Sequence, residues 1–204
     1  MNTIATYITA TWDSLNIQHD CAEKWSRTIT CKYNECHRFY HTLTHLMSMF
    51  ALLDDYKDNC TNTSAISLAI LFHDIIYDPT SKENEIESVK VFKDFCNDVQ
   101  LNGVLENNVT DMILSTIDHN PLTLDPDLLL FLDLDLSILA STDYTTYSTN
   151  IRKEYSHVDE SIYKSKRIQV LQHFIKREKL FFVLGGLEMN ARLNIKQEID
   201  NLGI

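Results

Sequence analysis

Three stretches place imidazoles and carboxylates where an apolar core would otherwise be read. In FYHTLTHLMSMF, residues 39 to 50, His41 and His45 stand four apart. In LAILFHDIIYD, residues 68 to 78, the pair His73-Asp74 interrupts an apolar run. In PDLLLFLDLDLSILAS, residues 126 to 141, Asp133 and Asp135 sit among Leu, Ile and Phe. Nitrogen and oxygen donors of this kind bind divalent ions, and acids are rarely buried unless paired or metal-bound. Each stretch also has an ordinary reading: a core histidine with a hydrogen-bond partner, an Asp74 that caps a neighbouring helix, a carboxylate paired with a buried Arg or Lys. On a helix, a spacing of four puts His41 and His45 on one face. His73 and Asp74 point about 100° apart, so both reach one ion only from a helix end or across a close groove. Asp133 and Asp135 point to roughly opposite sides, so a single ion takes one of them. The common feature is that each group of donors lies on its own apolar helix.

The elements that must carry these groups read as helices throughout. Glycine is scarce, at four residues, and Gly103 is the first of them. That leaves no phosphate-binding glycine loop and no dinucleotide fingerprint in the first hundred residues. Prolines number three, and the apolar stretches repeat at helical spacing, which predicts an all-α protein. The spacing predicts one or two helices over 3–30, then helices over 38–56, 64–76, 81–99, 105–118, 125–141, 143–156, 159–183 and 188–200. No repeat or linker divides the chain, so one domain over 1–204 is expected. The last segment, GGLEMNARLNIKQEIDNLGI, is a candidate for either packing or dimer formation, which leaves a homo-oligomer open.

Charge and composition exclude some functions. The 204 residues carry a formal net charge of −11, which repels nucleic acid polymers and anionic membranes. The sequence holds no apolar run long enough to span a bilayer. The N-terminus has neither a basic start nor a clean apolar segment, so no secretory signal is expected. Five cysteines in a chain of this size do not imply a disulfide framework, and free thiols in a reducing cytoplasm are the expectation. Cys31 and Cys36 lie near His37 and His41, but no second Cys pair follows to complete a structural zinc site.

The order His45, His73-Asp74, Asp135 resembles the HD superfamily of metal-dependent phosphohydrolases. The longer strings RFYHTLTHLMSMF, FHDIIYDPTSKENEIES and FLDLDLSILA resemble one branch of it, with a Tyr-His-x-x-x-His start and an Asn-Glu after the His-Asp loop. IDHN and IRKEYSHV fit the same branch, and the resemblance is strongest over 36–183. It implies an all-helical bundle of the HD type with His45, His73, Asp74 and Asp135 as metal ligands. It leaves His41 as a further ligand or a group behind the ligands, and Asp133 as the reserve for Asp135. The implied cofactor is a divalent ion, with Mn, Fe, Co, Ni, Mg and Zn all open.

The implied activity is hydrolysis of a small phosphorylated compound, a nucleotide-like phosphomonoester or pyrophosphate, by metal-activated water. Glu85, Asp78 and His119 are then candidates to assist the leaving oxygen, though Glu85 also suits a helix N-terminus through the dipole and His119 suits a cap. Arg38, Arg152 and Arg167 are candidates for holding substrate phosphate. The chain departs from many relatives at Leu136, where they carry Arg, and at IIYD, where they carry Lys. Two alternatives remain: a di-iron HD-type oxygenase, which needs ligands such as His41, His119 and Glu85, and a nucleotide-binding sensor without turnover.

Overall fold

Side-chain caps set where the chain begins to coil. Thr3, Asn62, Asn102 and Asp159 each accept a backbone N–H from the turn that follows, satisfying donors that a helix N-terminus leaves without an intrahelical partner. The computed structural model describes residues 2–203. Among them are ten α-helices and no strand, so the protein is all-α: α1 (Ile4–Ser14), α2 (His19–Tyr33), α3 (Leu43–Tyr56), α4 (Thr63–Phe72), α5 (Asn84–Val99), α6 (Gly103–Ser115), α7 (Pro126–Leu136), α8 (Tyr144–Glu154), α9 (Glu160–Ile175) and α10 (Glu188–Leu202). None of these helices is long and apolar enough to cross a membrane. The chain divides into two compact units, Met1–Leu132 and Asp133–Ile204, and the division falls inside α7.

The first unit is built round α4. Its sequence TSAISLAILF carries no charge, and every residue from Ala65 to Phe72 is buried. A helix apolar on all sides must be covered on all sides, and α1, α3, α5 and α6 pack on it. Aromatic rings fill the space beside it. Trp25 meets the Phe95 ring edge-on, with centroids 5.5 Å apart, and Phe72 lies 5.3 Å from Phe92 and 5.1 Å from Phe95. Burying each such side chain contributes about 1.5–3 kcal/mol. Cys96 lies in this core, where burial pushes its thiol up to about 12. All five cysteines are free.

The second unit holds α8, α9 and α10, and its centre is polar. Glu198 accepts from Arg167 Nε at 2.9 Å and Nη2 at 3.2 Å, from Ser148 Oγ at 2.8 Å and from the Tyr144 hydroxyl. A wholly side-chain-held loop follows α9. Arg192 donates to the carbonyls of Ile175, Arg177 and Glu178, and Glu188 accepts the N–H groups of Leu180 and Phe181.

Several helix boundaries differ from the sequence expectation, among them the end at Leu136 of the helix expected to 141. The helix expected from 38 begins at Leu43, because Thr42 is extended, with φ −121 and ψ 176. The helix expected to 76 ends at Phe72, and that expected to 183 ends at Ile175.

Glu198 yields a prediction. Burial pushes its carboxyl up, and Arg167, Tyr144 and Ser148 together pull it below its ordinary value of 4.5. A depressed carboxylate stabilises the fold above its unfolded pKa, and the contribution is lost as pH falls through the folded pKa. Glu198→Gln leaves a buried, uncompensated guanidinium and is expected to cost about 3–5 kcal/mol at neutral pH. Urea midpoints measured from pH 7 downward should show the gap between variant and parent closing below the ordinary value of 4.5. A gap that stays constant with pH counts against this role.

Candidate metal centre

Two helix ends bring the histidines together. His45 lies in the first turn of α3 and is 5% exposed; His73 follows the last residue of α4 and is 1% exposed. Their Nε2 atoms are 3.3 Å apart. His73 Nδ1 lies 3.0 Å from the Ile70 carbonyl. A carbonyl only accepts, so Nδ1 carries a proton, and in the neutral ring Nε2 presents a lone pair. His45 Nδ1 meets the Tyr40 hydroxyl at 3.1 Å. Asp74 places Oδ2 3.1 Å from the same His73 Nε2 and 4.0 Å from His41 Nε2.

Asp135 reaches this place along α7. Phe131 packs edge-on against the His73 ring, centroids 5.8 Å apart, and Asp135 is the next residue on that helical face, four positions on. One ligand atom from each of His45, His73 and Asp135 lies within 4.8 Å of the others, and no other such group occurs among the described residues. The three could hold a metal ion. The fit is chemical as well as geometric. Ligands about 2.1 Å from one ion and roughly 90–110° apart lie about 3.0–3.4 Å from each other, which matches the Nε2 separation. A lone pair on His73 Nε2 facing a carboxylate oxygen also calls for a cation between them, either a proton or a metal.

The other expected site residues fall elsewhere or in different roles. His41 does not share a helical face with His45; it lies in the irregular segment before α3, its ring stacked on Tyr77 at 4.2 Å. It borders the group through Asp74. Asp133, the reserve ligand, is corrected to a structural role: its carboxylate accepts the N–H groups of Phe182, Val183 and Leu184 at 2.9, 2.6 and 2.7 Å. Burial pushes that carboxyl above its ordinary range, against the pull of the three N–H groups. Glu85 sits in the first turn of α5 and His119 in the loop after α6 with φ 52; neither joins the metal-capable group. Asp78 Oδ1 accepts from Thr80 N at 2.8 Å and Thr80 Oγ1 at 2.7 Å, which closes a turn.

The three arginines expected to hold substrate phosphate are all engaged within the fold. Arg38 binds Glu35 and the carbonyls of His41, Asp74 and Ile75. Arg152 binds Glu160 and the carbonyls of Tyr155 and Val158. Arg167 is paired with Glu198. Sequence reasoning missed Tyr33, Tyr40, Asn84 and Ser88, which bond to His45 or to the backbone after His73. Asn84 stands in the quoted Asn-Glu, where attention fell on the Glu.

No family model, curated protein or solved structure matches the chain.

The two acids of α7 separate by experiment. Asp133→Asn leaves a buried N–H facing an amide N–H, and a lost stability of about 1–3 kcal/mol is expected, with cobalt(II) stoichiometry unchanged. Asp135→Asn is expected to weaken cobalt(II) binding by more than ~10-fold with little change in unfolding midpoint. Calorimetric cobalt titration beside urea unfolding checks both, and exchanged phenotypes would reverse the assignment.

Proposed function

We propose that the chain is a metal-dependent hydrolase of a small phosphorylated compound, nucleotide-like in kind, as its resemblance to the HD phosphohydrolases implies. The convergence of His45, His73 and Asp135 ligand atoms within 4.8 Å carries this reading. Mixed imidazole and carboxylate donors, without a thiolate, suit a divalent ion that keeps positions open for water. When bound, such an ion lowers the pKa of its water and polarises a phosphoryl oxygen.

The chain's own residues supply the rest. The Ile70 carbonyl holds His73 in the tautomer that turns Nε2 toward the ligand group. The Tyr40 hydroxyl fixes the His45 ring, in the manner of the second partners that orient ligating histidines. Asp74 stands beside His73 as the fourth ligand of the proposed set. His41, half-buried with its ring against Tyr40 and Tyr77, stands near the group with its Nε2 4.0 Å from Asp74 Oδ2.

Elemental analysis of the purified protein, followed by a phosphate-release screen over nucleotides and small phosphoesters, tests the reading. About one divalent ion per chain is expected, with hydrolysis that disappears in His73→Ala and after chelation. Two irons per chain would replace it with the oxygenase, and tight nucleotide binding without turnover with the sensor. A protein that takes up no ion after exposure to several would overturn it.

A further inference from the structure

The backbone after His73 keeps a bond to its helix, Ile75 N–H to the Phe72 carbonyl at 3.3 Å, and then turns away. A helix end commonly closes on a glycine in the left-handed region, but here Asp74, Ile75 and Ile76 follow, and no glycine occurs before Gly103. β-branched residues avoid that region, so the chain leaves α4 through His73 in helical conformation, without a left-handed glycine cap. Its N–H and C=O groups then need partners from elsewhere, and side chains provide them in order. The Tyr33 hydroxyl accepts the Asp74 N–H at 3.3 Å. Arg38 Nη1 donates to the Asp74 carbonyl at 2.6 Å, and Nη2 donates to the Ile75 carbonyl at 3.0 Å. Ser88 Oγ accepts the Ile76 N–H at 3.1 Å, His37 Nε2 donates to the Tyr77 carbonyl at 2.8 Å, and Asn84 bonds both the N–H and the carbonyl of Asp78.

Arg38 differs from the others because it grips two segments that flank the metal group, the one carrying His41 and the turn after His73. Its Nη1 also donates to the His41 carbonyl at 3.3 Å, while Nε and Nη2 both reach Glu35 Oε2 at 3.1 Å. A guanidinium has five N–H donors in a rigid fork, and these bonds use them all. The side chain is 0% exposed, and the rings of Tyr33 and Tyr77 lie 5.0 and 5.5 Å from its centre. We infer that Arg38 is a positioning residue for the metal group: it joins the His41 segment to the His73-Asp74 turn and so sets the Asp74 carboxylate beside His73. This rests on the metal reading above. A lysine cannot replace it, because a single ammonium cannot reach three carbonyls and a carboxylate lying in different directions.

Cobalt(II) titration of the metal-free protein, read by its visible d–d absorption, tests the inference. Arg38→Lys and Arg38→Met are expected to weaken cobalt binding by ~10–100-fold and to change the band shape, with thermal unfolding in chelator reporting the fold separately. Arg152→Met is the control: it removes a similar carbonyl clasp between α8 and α9 and is expected to lower the melting temperature without moving cobalt affinity. Folded Arg38→Lys with parental affinity and spectrum would overturn the inference while leaving the metal site standing. If neither Arg38 variant folds, Glu35→Gln decides, since it loosens the same clasp from its more exposed end: weakened cobalt binding supports the role, and unchanged binding overturns it. A parent protein that binds no cobalt would overturn both the site and this role.

Discussion

The structure turns on one electrostatic problem. His73 Nδ1 is committed to the Ile70 carbonyl, so its Nε2 faces His45 Nε2 and an Asp74 oxygen with a lone pair of its own. The His73 lone pair and the Asp74 carboxylate oxygen, 3.1 Å apart, repel unless a cation lies between them. A proton answers the need for one pair; a divalent ion answers it for the whole group, Asp135 included. The crowding stays in place because the surrounding bonds hold it. The Ile70 carbonyl is part of the buried stretch of α4, and the Arg38 fork, the Tyr33 hydroxyl and Ser88 each tie down a different atom of the turn.

Helix α7 shows how neighbouring acids acquire different roles. Asp127 accepts the N–H groups of Thr61 and Asn62 at 2.8 and 2.6 Å, so it caps a loop. Asp133 is engaged by three consecutive N–H groups. Asp135 belongs to the metal-capable group. Residue type does not distinguish the last two, since both are carboxylates on one apolar helix, although Asp133 is fully buried and Asp135 half-buried. What distinguishes them is the direction each faces, together with the neighbours that the helical turn brings.

This explains what could be read in the sequence. Scarce glycine and the apolar periodicity were enough for an all-α chain, and carboxylates and imidazoles inside apolar runs marked the segments from which His45, His73 and Asp135 converge. Periodicity left Asp133 and Asp135 as alternatives. The choice of Asp135 came from resemblance, because the loop at 182–184 that engages Asp133 lies fifty residues away and carries its bonds on backbone atoms, which look alike in every sequence. The roles of Arg38, Arg152 and Arg167 were hidden for the same reason: their partners are largely carbonyls, and a one-letter code does not show which carbonyls lack a helical bond. His41 was placed on a helix by spacing alone, whereas the extended Thr42 begins that helix one residue beyond it.

The arginine assignments constrain the chemistry in turn. A phosphate ester needs positive partners, and a chain of net charge −11 has few to offer. The guanidiniums at 38, 152 and 167 face carbonyls and carboxylates of the fold itself. Turning Arg38 toward a substrate would leave the buried Ile75 carbonyl without its donor, at about 1–3 kcal/mol. Turning Arg167 would leave Glu198 without its cation, a larger cost still. If the protein acts on phosphate, the charge that meets it is more cheaply supplied by an ion between His45, His73 and Asp135 than by any of these arginines. The metal and the phosphate chemistry therefore stand together, because the three arginines that the sequence offered for phosphate are already part of the scaffold.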